Sequence, residues 1–132
     1  MKRPFAFTVL SLVFGWLAVA GFAFAWAAPH TSAEQLNAVN LDVSALVVIG
    51  LVYGTSAAVV TLGLWRVASW TARAVLIWGA SLLLGMIALQ VMIGVAGEPW
   101  WLVLLPHLVF AALITATFRY VNRRSQIVPA AI

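Results

Sequence analysis

Four long apolar runs constrain this chain more than any other feature of its sequence. They cover residues 5–28, 43–65, 74–97 and 100–118, and none contains Asp, Glu, Lys or Arg. About 20 apolar residues let a helix cross the hydrocarbon core of a bilayer. Only helices and closed barrels satisfy the backbone in lipid, and barrel strands alternate polar and apolar residues, unlike these runs. The pattern predicts an all-α integral membrane protein, a single four-helix bundle over residues 1–132.

The composition leaves few side chains for a water-facing surface. Only 8% of the 132 residues are charged, against about 25% in soluble domains. The first run follows Lys2 and Arg3, as in a signal peptide, but it is far longer than the roughly 7–15 residues of a signal-peptide core. We therefore expect residues 5–28 to be retained as a span.

The charged residues divide completely between the two sides of this arrangement. If successive spans alternate in direction, the seven basic residues share one side: Lys2, Arg3, Arg66, Arg73, Arg119, Arg123 and Arg124. The acids lie on the other side: Glu34, Asp42 and Glu98. Because Lys and Arg mark the cytoplasmic side, we predict that both termini face the cytoplasm. The membrane is expected to be the cytoplasmic (inner) membrane of a bacterium or archaeon. Basic residues spread along the chain in this way form no patch for nucleic acid.

Small residues at helical spacing predict where the spans contact one another. Lipid gives helices no hydrophobic reason to associate, so close backbone approach and interhelical polar groups must hold a bundle together. Such residues are Gly50, Gly54 and Ala58 in the second run, Gly15 in the first and Gly94 in the third. They favour packing within one bundle. A dimer interface, or a surface for another subunit, is the alternative.

His107 is the side chain best placed to bind a cofactor. It lies roughly 10 Å inside the fourth run, at a depth where an ionisable group usually faces a bundle interior or a cavity. Ala111 and Thr115 follow on the same helix face and leave room for a flat ligand. One interpretation is an axial haem ligand. The other, which position alone favours, is a neutral histidine hydrogen-bonded to Gln90 or to a backbone carbonyl.

Gln90 and His30 complete the set of candidate haem-site residues. Gln90 lies toward the same side of the membrane as His107, where it could donate to a haem propionate or a quinone carbonyl, or cross-link helices. His30 follows the first run, where a lone interfacial histidine is usually solvated. No carboxylate lies inside a run, which weighs against a proton-coupled exporter.

The third and fourth runs resemble part of a known family. The sequence ALQVMIG over Ala88–Gly94 is followed by a short turn and then by Pro106, His107, Leu108 and Ala111. This order resembles the heme A synthase family, in which a helix with a Gln…Gly pattern precedes a helix bearing a haem-ligating His-Leu pair and a small residue. The resemblance covers about the last sixty residues. It implies a four-helix half-unit with cytoplasmic termini, His107 as axial ligand and Gln90 near the haem.

Two features of that family are missing from this chain. The second helix of the family opens with a His-Arg pair that supplies the opposite haem ligand, whereas Leu41–Ser44 reads LDVS here. Bacterial members often carry a loop cysteine pair, and this chain has no cysteine, which also excludes disulfides and thiolate sites. Glu34 could stand for the family's catalytic loop glutamate. Bis-histidine ligation would require His30, from a different helix.

The sequence favours one function among three. An accessory, structural or assembly subunit of a respiratory or photosynthetic membrane complex fits a chain with no intramembrane acid and no catalytic set. It implies contact with the bilayer and with other subunits or a second copy, and enzymatic activity finds no support. The first alternative is a haem-binding protein related to heme A synthase, with His107 as ligand. The second is a small dimeric transporter or channel, which the scarcity of polar residues in the runs disfavours.

Overall fold

Helices account for nearly all of the described chain. A computed structural model describes residues 4–32, 42–93 and 99–127. It contains α1 (Phe5–Ala27), α2 (Val43–Arg66), α3 (Thr71–Ile93) and α4 (Trp100–Ile127), with a 3₁₀ turn at Ala28–His30 after α1. All four α-helices are long and apolar enough to cross a membrane, and the described ranges hold no strand. The prediction of an all-helical fold with four helices long and apolar enough to span a membrane is confirmed.

The helix bounds depart from the predicted runs by three residues or more at two places. α3 begins at Thr71 rather than at residue 74, because Arg73 is exposed on the helix surface and does not interrupt it. α4 continues to Ile127 rather than ending at 118, because arginine is a good helix former and the helix extends beyond its apolar part. The predicted end of the third run, at residue 97, lies outside the described residues.

α1 and α2 form the most extensively packed helix pair. Buried residues follow one another at spacings of four and three along α1: Phe7, Ser11, Phe14, Ala18, Gly21 and Ala25. The same spacings describe α2 through Leu46, Gly50, half-buried Tyr53, Ala57, Val60 and Leu64. A repeat averaging 3.5 residues is typical of left-handed coiled-coil packing.

Glycines set the distance between these two helices. A Cβ atom on Gly21 would lie 2.6 Å from the backbone nitrogen of Gly54, and one on Gly50 would lie 2.8 Å from that of Ala25. The predicted packing residues Gly50 and Gly54 therefore lie against α1 of the same chain. Gly15 is less closely packed, with 3.7 Å between its hypothetical Cβ and Thr61. Ala58 is half-buried, and Gly94 lies outside the described residues.

The main core lies toward the end of the bundle that carries the α2–α3 connection, which we call the basic end. There the Phe14 ring meets Trp78 of α3 edge-on at 4.8 Å, and Phe7 meets Tyr120 of α4 at 6.2 Å. Toward the opposite, distal end, burial decreases in α3, where no described residue after Gly79 is buried, and in α4, where none before Ile114 is buried. α1 and α2 remain buried as far as Ala25 and Leu46. In the most apolar stretch of α4 only 6% of residues are buried, against 28% in α1 and in α2.

The connection between α2 and α3 is a tight turn at the basic end. The Val67 N–H donates to the Leu64 carbonyl at 3.3 Å and the Ala68 N–H to that of Gly63 at 3.0 Å, a Schellman arrangement. Val67 has φ 53° and is the only described non-glycine residue with positive φ. Thr71 is fully buried and donates its hydroxyl to the Ala68 carbonyl at 2.6 Å. These bonds turn the chain back within four residues of the last residue of α2.

Candidate functional site

His107 retains one ring nitrogen without a hydrogen-bond partner. Its Nδ1 lies 2.8 Å from the carbonyl oxygen of Val103, one turn earlier on α4. Its Nε2 is buried and has no partner among the described residues. When Nδ1 carries the proton and donates to Val103, Nε2 presents a lone pair that can accept a hydrogen bond or bind a metal. A backbone partner on the other nitrogen is the usual way in which a ligating histidine is oriented.

Gln90 does not supply the missing partner. Its side chain is half-buried near the distal end of α3, and no hydrogen bond joins it to another described residue. The amide therefore also keeps unused donors and an acceptor. The third and fourth helices thus each carry a polar group toward the distal end without a partner from the described chain.

His30 belongs to the end of α1 rather than to a shared site with His107. Its ring lies 4.7 Å from the Trp26 ring, and its Nδ1 lies 2.9 Å from the Trp26 carbonyl oxygen. His30 is exposed at the end of the 3₁₀ turn. No cluster of three or more His, Cys, Asp or Glu side chains occurs in the described ranges. Glu34 lies outside them.

The neighbours of His107 on α4 differ in exposure. Leu108 is 64% exposed, and Ala111 is half-buried. The Thr115 hydroxyl donates to the Ala111 carbonyl at 2.7 Å, so it is engaged within its own helix. Pro106 lies inside α4 and cannot donate to the carbonyl one turn earlier. This segment of α4 therefore lacks one helical backbone hydrogen bond and carries an imidazole nitrogen without a partner.

An apolar cavity of about 430 Å³ lies between α1, α2 and α3. Small residues form much of its wall, among them Gly21, Gly50 and Gly85, and Tyr53 and Ser81 add side-chain hydroxyls. A Cβ on Gly85 would meet no atom within 4 Å. Neither His107 nor Gln90 is among the described residues that line the cavity. Sequence reasoning missed the cavity, although these small residues on three neighbouring helices were its signal.

A second polar atom without a partner lies beside the aromatic core. Trp78 is 8% exposed, packs on Phe14, and has its ring 5.8 Å from that of Tyr53. Its Nε1 and the Nε2 of His107 are the buried side-chain polar atoms that lack a partner within the described ranges. The indole nitrogen can only donate, so it cannot bind a metal. His107 remains the metal-binding candidate.

No protein-family model, curated protein or solved structure matches this chain. The resemblance to the heme A synthase family therefore has the short motifs around Gln90 and His107 as its support. Function has to be argued from the geometry of the helices themselves.

Proposed function

We propose that this chain is an accessory subunit, structural or for assembly, of a larger respiratory or photosynthetic membrane complex. One observation supports the proposal. In the described part of the α3–α4 hairpin, no residue of α3 after Gly79 or of α4 before Ile114 is buried, and the Gln90 side chain there has no partner in the described chain. A neighbouring membrane subunit would supply both the cover and the hydrogen bonds.

The exposed surface of α4 covers most of its circumference and leaves one inward face, on which Val103, His107 and Ala111 are half-buried and Ile114 is buried. Leu102 is 43% exposed and Leu104 is 47% exposed, although two residues along an α-helix point to nearly opposite sides. Leu105, Leu108 and Val109 add further exposed apolar surface on the same turns. Lipid can cover apolar side chains, so exposure alone does not require a protein partner.

The polar groups on this hairpin make the stronger argument. The Gln90 amide and the Nε2 atom of His107 have no partner in the described chain. An unsatisfied polar group is costly in hydrocarbon, where water cannot replace the missing bond. A hydroxyl, amide or carbonyl of another membrane helix would satisfy the half-buried Gln90 amide, as polar residues do between transmembrane helices; the Nε2 atom of His107 is enclosed by the chain itself.

Site-specific photo-crosslinking in native membranes tests this proposal. A photoreactive residue replaces Leu108 on α4 or, as the matched control, Val19 on α1. The two side chains are 64% and 66% exposed, and each lies eight residues from the distal end of its helix. We expect the Leu108 probe to capture one integral membrane polypeptide and the Val19 probe to capture none. Gln90→Leu should reduce that capture.

Two results would overturn the proposal. One is equal labelling from both positions, which would indicate random encounters in the bilayer. The other is a monodisperse chain, solubilised from native membranes in mild detergent, with no crosslinked product at Leu108.

Haem binding at His107 is the second candidate function. It is favoured by the Nδ1 contact to the Val103 carbonyl and the buried, unpartnered Nε2 atom. His107 would be the one histidine available to hold a haem iron here, since His30 interacts with Trp26. When bound, haem would supply one-electron chemistry. His107 would hold the iron through its Nε2 atom.

An absorption spectrum of the purified chain tests this second candidate. A Soret band should be present, and it should shift or disappear in His107→Leu. It should persist in His30→Gln, the matched control. The absence of a Soret band after expression with added haem, or an unchanged band in His107→Leu, would contradict haem ligation here.

A further inference from the structure

A basic groove lies on the last turns of α4, at the opposite end of that helix from His107. It has a volume of about 530 Å³ and is lined by Ala116, Arg119, Tyr120, Arg123 and Arg124. Three of the seven basic residues of the chain therefore line one surface. This density is higher than the even spread that the sequence alone suggested.

The groove has no carboxylate of its own to balance this charge. Asp42 is the acid within the described residues, and it caps the start of α2, at the distal end of that helix. No Asp or Glu occurs in the sequence after Glu98. Arg119, Arg123 and Arg124 are exposed and form no ion pair in the described ranges. Like charges one helical turn apart repel each other, so this site favours a bound anion.

Local geometry concentrates the three guanidinium groups on one side of α4. Positions 119, 123 and 124 fall within a 140° arc at 100° per residue, which corresponds to 3.6 residues per turn. Ala116 lies inside that arc, one turn nearer the membrane interior, and its small side chain leaves the groove open. The Tyr120 ring is held edge-on by Phe7 at 6.2 Å, which fixes one wall. Guanidinium groups bind phosphate oxygens in bidentate fashion.

The position of the groove indicates which anion it takes. Exposed apolar residues lead along the same face of α4 into the groove: Leu105, Val109, Ala112 and Ala116. Such a strip can accommodate acyl chains, and the arginines begin where it ends. We propose that this groove binds the headgroup phosphate of an anionic phospholipid whose acyl chains lie along that strip. The headgroup site is independent of the accessory-subunit role, because its arginines lie at the other end of α4; only the start of the strip, at Leu105 and Val109, is shared with the surface offered to a neighbouring subunit.

Lipid-dependent stabilisation of the full-length chain tests this site. Phosphatidylglycerol is titrated into the protein in neutral detergent, while thermal unfolding and lipid retention in native mass spectrometry are recorded. We expect a saturable rise in Tm with phosphatidylglycerol and none with phosphatidylcholine. A basic residue at the membrane surface contributes about 1 kcal/mol toward an anionic lipid, so each arginine removed should weaken binding about fivefold.

Matched variants distinguish lipid binding in this groove from a general attraction between anionic lipid and the positive charge of the protein. R123Q/R124Q removes two groove charges, whereas R66Q/R73Q removes two charges at the same end of the bundle but outside the groove. Binding should weaken about 25-fold in the first pair, by two such fivefold factors, and much less in the second. R123K/R124K, which keeps the charge without the bidentate geometry, should be intermediate. Circular dichroism confirms that each variant is folded.

Three outcomes would overturn the proposal. Equal losses in the two glutamine pairs would indicate non-specific attraction. Equal stabilisation by phosphatidylcholine would exclude a headgroup site. Inorganic phosphate that matches phosphatidylglycerol at the same concentration, and displaces it, would assign the groove to a free anion rather than to a lipid. If R123Q/R124Q does not fold, the comparison of the two lipids on the unmodified chain still decides the result.

Discussion

At the scale of single residues, the α1–α2 interface depends on two glycines that have no room for a side chain. Gly21→Ala would place a Cβ 2.6 Å from backbone, and Gly50→Ala would place one 2.8 Å away. We expect each to destabilise the fold by about 1–3 kcal/mol, as overpacking does. Gly85→Ala, whose Cβ meets nothing within 4 Å, should instead stabilise α3 by up to about 1 kcal/mol. Unfolding in mixed micelles, followed by circular dichroism, measures the stability of all three variants. A Gly21→Ala variant as stable as Gly85→Ala would contradict this packing.

The sequence predicts the α2 side of this interface but not the α1 residues that contact it. The spacing of Gly50 and Gly54 predicts packing positions on α2, and Gly15 is the packing position predicted on α1, whereas the closest approach to α2 occurs at Gly21 and Ala25. The spacing of Ala18 and Ala25, seven residues apart, was the missed signal. Register between two helices depends on which small residues meet across the interface, and one sequence does not state that.

The candidate site shows the same division between local and non-local information. The contact of His107 with the Val103 carbonyl is local to one helix turn, and a backbone carbonyl was one of its two predicted partners. Whether Gln90 reaches His107 depends on how α3 and α4 pack, which residue spacing does not determine. The sequence could therefore place both polar groups at a similar depth but could not show that they remain unpaired.

At the scale of elements, the end of α2 adopts a conformation that its sequence does not favour. Val67 is β-branched and has φ 53°, a left-handed conformation in which Cβ crowds the following carbonyl. No glycine marks this turn, so the residue pattern predicts a hairpin but not the left-handed conformation of Val67. We expect Val67→Gly to be more stable than Val67→Ala by about 1 kcal/mol, the reverse of their order inside a helix. Both variants lose the valine side chain, so their difference in thermal stability isolates the backbone conformation; equal stabilities would exclude strain at this cap.

The start of α2 carries a pH-dependent cap. The Ser44 hydroxyl, and then the Ser44 backbone N–H, hold the pKa of Asp42 below its ordinary value of 3.8. Because the folded-state pKa is the lower one, the stabilisation by this carboxylate is complete above its ordinary pKa and is lost as pH falls through the folded value. The difference in Tm between the parent chain and Asp42→Asn should therefore be constant near neutral pH and shrink below about pH 4. A difference that stays constant down to pH 3 would show that the charge of Asp42 does not stabilise the cap.

At the scale of the whole molecule, the four helices are packed unevenly. Apolar runs predicted that each helix could span a membrane, but they did not distinguish the closely packed pair α1–α2 from the sparsely covered α4. The difference lies in small residues: Gly21, Gly50 and Gly54 bring α1 and α2 together. In the described part of α4 no glycine occurs, and Leu102, Leu104 and Leu108 instead present branched side chains outward. Lipid and another membrane chain are equally apolar, so the sequence of α4 alone could not show which of them covers it.

Orientation in the membrane is a property of the whole charge distribution, and we predict that the basic end faces the cytoplasm. All seven basic residues lie toward this end when the helices alternate in direction, and Lys and Arg resist translocation. The chain has no cysteine, so single cysteines can report sidedness without background. A membrane-impermeant maleimide applied to intact cells should label S32C, in the segment that follows α1, and should label S69C, in the α2–α3 turn, only after lysis. The opposite labelling pattern would invert the topology and would move the arginine groove to the outer leaflet.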